Sequence, residues 1–365
     1  MKLDVNIILS KALNLKFLSV GELVFLYNSA SLGELMSCAN SIREKLAQPG
    51  VVSWMVDRNI NISNRCFCGC KFCNFHVKPN DNSFFITSLE EYKQKIDVLF
   101  KLGGNQILLQ GGLDPYVDIN FYINLFRELK KLYPSLILHA LGPAEIHFIA
   151  KKSDLTISQT LEKLVDAGLD SLPGAGAEIL VDRVRKLVSP NKCTSDEWLN
   201  VMRIAHQMNL LTSATMMFGH VETIAERMEH LVKIRDLQAE RPNGAHGFKA
   251  FIAWPLQKTG TVLEKEYPDI KHTSATEYIK MVAISRIALV NVQNIQASWL
   301  TVGKEIAQIC LHAGANDLGS IMIEENVVSS AGSNISMNQS QLIDTIVEAG
   351  FKPLKRNQDY SEYTE

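Results

Sequence analysis

The chain has 365 residues, of which 46% are apolar and 21% charged, enough to bury a sizeable core as one large domain or two smaller ones. Its formal charge of −2 and the lack of any long Lys/Arg run exclude a general electrostatic pull toward nucleic acid or another polyanion. The opening residues interrupt their apolar content with Asp4, Lys11 and Lys16, so neither a signal segment nor a membrane span is expected, and the chain is expected to stay in the cytoplasm.

Residues 1–50 read as an N-terminal helical cap. Leu32, Leu35, Met36, Ala39, Ile42 and Leu46 recur at three- and four-residue spacing, and Pro49-Gly50 stops the pattern. Beyond them, short strand-like runs alternate with longer amphipathic segments, as parallel βα units do. Strands are expected near 57–63, 105–110, 136–141, 169–172, 211–217, 247–253, 294–299 and 316–322. Helical stripes lie between them, such as Tyr122, Leu125, Phe126, Leu129 and Leu132, and later Ile224, Met228, Leu231 and Leu237. About eight units point to an α/β fold, a closed (β/α)8 barrel spanning 51–325, with residues 326–365 as a helix-bearing tail packed on it. In such a barrel the chemistry sits after the strands, so those positions are the functional candidates.

Seven cysteines are present, and four crowd into eight positions, which suits a ligand site better than a disulfide framework. Cys66, Cys70 and Cys73 form CxxxCxxC directly after the first expected strand. Three thiolates from one short loop suit a four-iron four-sulfur cluster with one iron left open. The competing reading is a zinc knuckle completed by Cys68 or His76. Cys68 is out of step with the motif, and the isolated Cys38, Cys193 and Cys310 are assigned no chemistry.

Other strand ends add candidates. Gln110-Gly111-Gly112-Leu113 follows the second strand, where glycine lets a ligand approach the main chain. Pro173-Gly174-Ala175-Gly176-Ala177-Glu178 follows the fourth, with Glu178 placed to accept from hydroxyls and Arg183 to pair with a carboxylate. His220 and Glu222 follow the fifth, where an imidazole could act as a base, although Glu222 also suits the N-terminus of the next helix. Trp254 and Pro255 could wall a pocket. Gln296-Ala297-Ser298-Trp299 ends strand seven; Asp317 and Glu324, at strand eight, could hold sugar hydroxyls or accept a proton.

CxxxCxFC after the first strand resembles the radical S-adenosylmethionine (SAM) superfamily. That resemblance implies SAM chelated at the open iron and one-electron cleavage to a 5′-deoxyadenosyl radical, with Phe72 packed near the adenine. It also implies that Gln110, Gly111 and Gly112 meet the SAM amino group largely by backbone, although Leu113 stands where an acidic residue is usual. The ordered segments VDRNINISNRCFCGCKFCNF, QGGLDP, SLPGAGAEILVDRVR, SATMMFGHVET, NIQASW and NDLGSIMIEENVVSSAG, across most of residues 51–350, resemble the cyclic dehypoxanthinyl futalosine synthase family of the futalosine route to menaquinone. Ala175 departs from the glycine expected in that family's PGGGAE loop.

What this implies is hydrogen abstraction from the ribose C4′ of dehypoxanthine futalosine and ring closure onto its benzoate. His220, Asp317 or Glu324 would take the ring proton, Glu178 and Arg183 would bind cofactor, and a donor such as flavodoxin or ferredoxin would supply the electron. Aminofutalosine synthase, which adds the adenosyl radical to its substrate, is the alternative within the superfamily; a non-catalytic barrel with a structural metal site is the alternative outside it.

Overall fold

Alternating and fully buried apolar runs form ten strands among the described residues. A computed structural model describes residues 3–332 and 335–363. In chain order the strands are β1 (Val51–Met55), β2 (Asp57–Asn61), β3 (Gln106–Gln110), β4 (Ile137–Ala140), β5 (Ser171–Leu172), β6 (Leu211–Phe218), β7 (Gly247–Pro255), β8 (Asn294–Ala297), β9 (Asp317–Ser320) and β10 (Lys352–Lys355). All pairings are parallel, in the order β10-β1-β9-β8-β7-β6-β5-β4-β3-β2.

The barrel closes through a bend. β1 and β2 are two halves of one stretch broken at Val56: β1 pairs with β9, and β2 pairs with β3. Arg58 then bridges Ile323, just past β9, with Asn59 N donating to Ile323 O at 3.1 Å. Eight strand positions therefore form the (β/α)8 barrel expected from the alternating pattern.

The helices cover the outside with the faces their periodicity marks. In the helix Ile119–Leu132, Tyr122, Phe126 and Leu129 are buried while Leu132 stays exposed; in Ile224–Glu240, Met228, Leu231 and Leu237 are buried. Each such side chain contributes about 1.5–3 kcal/mol. Many starts are fixed by reciprocal capping, as at Ser88 with Glu91, Thr194 with Glu197 and Thr223 with Glu226.

Three helices, α1 (Val5–Leu13), α2 (Val20–Ser29) and α3 (Leu32–Leu46), precede the barrel. α3 packs on the helix Ala275–Ala288 and α2 on Ile224–Glu240. Arg43 of α3 is buried and ties this layer to the strands, donating to Ala315 O and Val51 O, each at 2.9 Å.

The segment after 326 does more than the outer tail read from the sequence. Following the helix Gln339–Glu348, β10 pairs with β1, and residues 356–360 run under the N-terminal end of the barrel. Arg356 Nε meets Asp317 Oδ2 at 2.6 Å, and Gln106 Nε2 donates to Gln358 Oε1 at 3.0 Å. Arg356, Gln358 and Tyr360 thus form a floor that lines the barrel interior.

Candidate active site

One cavity of about 430 Å³ occupies the barrel, reaching from the cysteine loop down to this floor. Its size lies within the range usual for small-molecule sites.

The loop after β2 is tied at several points. Cys66 N donates to Val77 O at 3.0 Å, Phe67 N to Leu113 O at 3.2 Å, and Lys71 N to Val188 O at 2.8 Å. Gly112 is required by close approach: a Cβ there would lie 2.2 Å from Arg65 O and 2.8 Å from Cys66 Cβ. The Gly111-Gly112 turn therefore fixes where the first cysteine stands.

Cys66, Cys70 and Cys73 all line the cavity. The Cys66 sulfur accepts from the backbone N–H groups of Leu113 (3.2 Å) and Cys68 (3.4 Å). Hydrogen bonding from the Cys68 thiol lowers Cys66 to about 7 and Cys70 to about 5, while burial lifts Cys73 to about 11. Cys68 itself is pushed up by those same contacts and directs its thiol at Asn191 O, 3.8 Å away. Burial also lifts Cys38, Cys193 and Cys310, as expected of inert thiols.

Two residues not singled out from the sequence stand beside these thiols. Lys192 is buried, and although burial opposes its charge, Cys70 and Glu178 hold it protonated. Its ammonium is 2.7 Å from Glu178 Oε1 and 5.5 Å from the centre of the Phe72 ring. Glu145 lies at the start of the helix Pro143–Lys152, where its carboxylate accepts from Gly111 N (3.0 Å) and Gly142 N (2.7 Å). Burial pushes it up to about 7. Gly142-Pro143-Ala144-Glu145 was the available signal, a helix start directly after a strand.

The donor set fits an anionic iron–sulfur cluster. The thiols of Cys66, Cys70 and Cys73 share one space with that of Cys68, two amides point at the first sulfur, and the Lys192 ammonium offsets the charge. Cys68 lines the same cavity with its thiol hydrogen-bonded to Cys66 and Cys70, and the competing reading of a fourth zinc ligand rests on it, since the His76 Nδ1 is 2.9 Å from Cys73 O.

The other sequence candidates divide. Phe72, Gln110, Gly111, Gly112 and Glu178 line the cavity, as do Trp254, Pro255, Gln296 and Ser298. Glu178 is held at φ +42° with its carboxylate on Lys192. Arg183, by contrast, lies outside the cavity with its side chain 50% exposed, paired with Glu226 Oε2 at 2.6 Å. Nor does His220 line the cavity; its Nδ1 is 3.0 Å from Glu222 Oε2, and Glu222 also binds Arg227 at 2.7 Å.

Glu324 is outside as well, held by Arg58 and Lys95. Asp317 is fully buried at the bottom end of β9, where it accepts from Arg356, from Ser53 Oγ at 2.5 Å and from Gly319 N at 2.7 Å. All four of these side chains are engaged with protein partners. Position after a strand marked Arg183, His220 and Glu324, and there the chain turns outward; Asp317 was expected at the start of its strand and is found there, turned to the floor.

A thiolate loop at the C-terminal mouth of a parallel barrel defines the radical SAM class. Residues 60–234 match the radical SAM superfamily, and residues 245–365 match the CofH/MqnC C-terminal region. The chain is 39% identical to a cyclic dehypoxanthine futalosine synthase of Streptomyces coelicolor, over 98% of this chain and 89% of the relative. A second such synthase, from Halalkalibacterium halodurans, is 37% identical over 98% of this chain and 95% of its own length. A 5-amino-6-(D-ribitylamino)uracil–L-tyrosine 4-hydroxyphenyl transferase of Methanosarcina mazei is also 37% identical, over 90% and 84%. Among solved structures, methylornithine synthase shares the fold with a TM-score of 0.71 at 20% identity, covering 96% of this chain and 98% of that one. The chain belongs to the family of the cyclic dehypoxanthine futalosine synthases.

Proposed function

We propose that this chain converts dehypoxanthine futalosine to cyclic dehypoxanthinyl futalosine, a step of menaquinone biosynthesis. The observation that carries the reading is the loop of three cysteines opening onto one barrel cavity, in a chain that matches two such synthases over nearly its whole length. Cys66, Cys70 and Cys73 would hold one four-iron four-sulfur cluster. When bound, the cluster and SAM supply a 5′-deoxyadenosyl radical able to abstract hydrogen from the ribose.

The chain's own residues bind, orient and exclude water. Gly111 and Gly112 meet the SAM amino end by backbone. Their N–H groups are already given to Glu145 and Ser63, so carbonyl oxygens are the atoms offered. Phe72 and Lys192 flank the cluster loop, and Glu178 sits where it can accept from a ribose hydroxyl. A low-potential donor such as a flavodoxin or ferredoxin would reduce the cluster in the cytoplasm.

Among the described residues no helix is long and apolar enough to cross a membrane. The test is mass spectrometry after anaerobic incubation of the iron-reconstituted protein with SAM, dithionite and dehypoxanthine futalosine. A product lighter than substrate by two hydrogens, formed with free 5′-deoxyadenosine, is expected. A product that retains the adenosyl group would refute the cyclase reading in favour of radical addition.

A further inference from the structure

Three lysine or arginine side chains line the cavity among the described residues: Lys192, Lys249 and Arg356. Two are already neutralised inside the protein, Lys192 by Glu178 at 2.7 Å and Arg356 by Asp317 at 2.6 Å. Lys249 pairs with no carboxylate among the described residues. Asp359 lies close enough to feel its charge, but no ion pair forms, and Asp359 Oδ1 accepts from Ser361 N at 3.0 Å and Ser361 Oγ at 2.6 Å. A cavity-lining ammonium held in no ion pair can take an anion arriving in the cavity without first giving up a protein partner.

The backbone aims this side chain inward. β7 pairs with β6 as Thr212 with Phe248 and then Ser213 with Ala250, which leaves Lys249 as the extra residue of a β-bulge. A bulge re-aims a side chain by bending the strand locally and interrupting the regular pairing there. Lys249 is half-buried and faces the same cavity as Ile252 and Trp254 farther along the strand. Five residues at about 3.3 Å each set it roughly 17 Å below Trp254, at the end of the cavity away from the cysteines. Leu108 and Ile252, also half-buried and lining the cavity, give an apolar stretch between the two ends.

From mouth to floor the cavity thus offers the cysteine loop, the apolar patch of Leu108 and Ile252, and a cation held in no ion pair. A molecule fitting that order carries its reacting sugar at one end, an aromatic ring in the middle and an anion at the other. We propose that Lys249 anchors the aryl carboxylate of the substrate, setting the ring against Leu108 and Ile252 and the ribose toward the cysteine loop. The assignment rests on the cyclase reading given above. It makes Lys249 a substrate-binding residue that selects for the free acid and fixes how deep the molecule sits.

The experiment compares dehypoxanthine futalosine with its benzamide analogue, using the cluster-reconstituted full chain with SAM and dithionite. The wild type should prefer the acid in kcat/KM by roughly 10- to 100-fold, the worth of one charge-assisted hydrogen bond. Lys249→Gln should bring that ratio to within about threefold of one, mainly through KM for the acid, while Lys249→Arg should retain the preference. Calorimetric binding of the acid to cluster-loaded protein without reductant should weaken by a similar factor in Lys249→Gln. If that variant does not accumulate as folded protein, Lys249→Met serves in its place.

A variant lacking the ammonium that still prefers the acid as the wild type does would overturn the assignment and leave the cyclase reading standing. A wild type that turns over neither compound, while still cleaving SAM, would overturn the cyclase reading and the assignment with it.

Discussion

Truncating Asp317 to alanine should weaken the fold rather than the chemistry. Its carboxylate is fully buried and accepts from Arg356 Nε (2.6 Å) and Nη2 (3.1 Å), Ser53 Oγ (2.5 Å) and Gly319 N (2.7 Å). Without it, the Arg356 guanidinium stays buried under the barrel with the Asn357 carbonyl at 3.1 Å and the Met55 sulfur at 3.2 Å. Breaking a buried pair on one side costs about 3–5 kcal/mol. With a urea m-value near 3 kcal/mol/M, the midpoint should fall by about 1–1.7 M, followed by tryptophan fluorescence. Adding Arg356→Met removes the stranded charge, so the double variant should be more stable than the sum of the single losses by about 2 kcal/mol. A midpoint unchanged in Asp317→Ala, or strictly additive losses, would refute the structural assignment. Lost turnover with an unchanged midpoint would instead return Asp317 to the catalytic candidates.

Among the thiols, Cys66→Ala, Cys70→Ala and Cys73→Ala should each abolish reductive SAM cleavage, while Cys68→Ala keeps it; inactivity of a folded Cys68→Ala would show the ligand register to be wrong. Gly112→Ala should lower iron uptake at least severalfold during reconstitution, because its Cβ would sit 2.2 Å from Arg65 O and push the cysteine loop aside, with circular dichroism unchanged. Full iron loading of that variant would contradict the role given to the close approach.

His206 offers a pH test. Burial lowers it to about 4, and its unfolded value is about 6.5, so the unfolded chain binds the extra proton between those limits and stability falls as pH drops from 6.5 toward 4. Glu145, raised to about 7, acts in the opposite sense over the same range, so the readout is the difference between wild type and His206→Asn. That difference should lose up to about 1.4 kcal/mol per pH unit, the weight of one proton. Parallel pH profiles would place a charged His206 in the folded state.

Much of the barrel was legible because its physics is local. Eight strand runs with period-two or fully apolar patterns sit where expected, and the stripes Tyr122–Leu129 and Met228–Leu237 bury the predicted faces. β1 was missed because Val51–Met55 runs into β2 with only Val56 between, so one bent stretch reads as a single strand. β10 was missed because Lys-Pro-Leu-Lys lacks an apolar run, although proline and lysine are at home on an edge strand.

At the site, the cysteine and glycine positions were legible because spacing alone carries them. Arg183, His220 and Glu324 were marked by position after a strand, and Asp317 as a polar residue at the start of one, rules blind to which way a side chain turns and which ion it meets. Lys192 is invisible for the opposite reason. It lies in a polar loop far from the cysteines in sequence, and only folding sets it near Cys70. Lys249 depends on a bulge, and one extra residue in a strand leaves no mark in composition.

A radical formed at the cysteine loop should take hydrogen from the substrate's ribose and not from solvent or protein. The measurement is anaerobic turnover of dehypoxanthine futalosine carrying deuterium at C4′, with mass spectrometry of the released 5′-deoxyadenosine. One deuterium per 5′-deoxyadenosine, formed in step with cyclised product, is expected. Unlabelled 5′-deoxyadenosine accompanying the same cyclised product would contradict it.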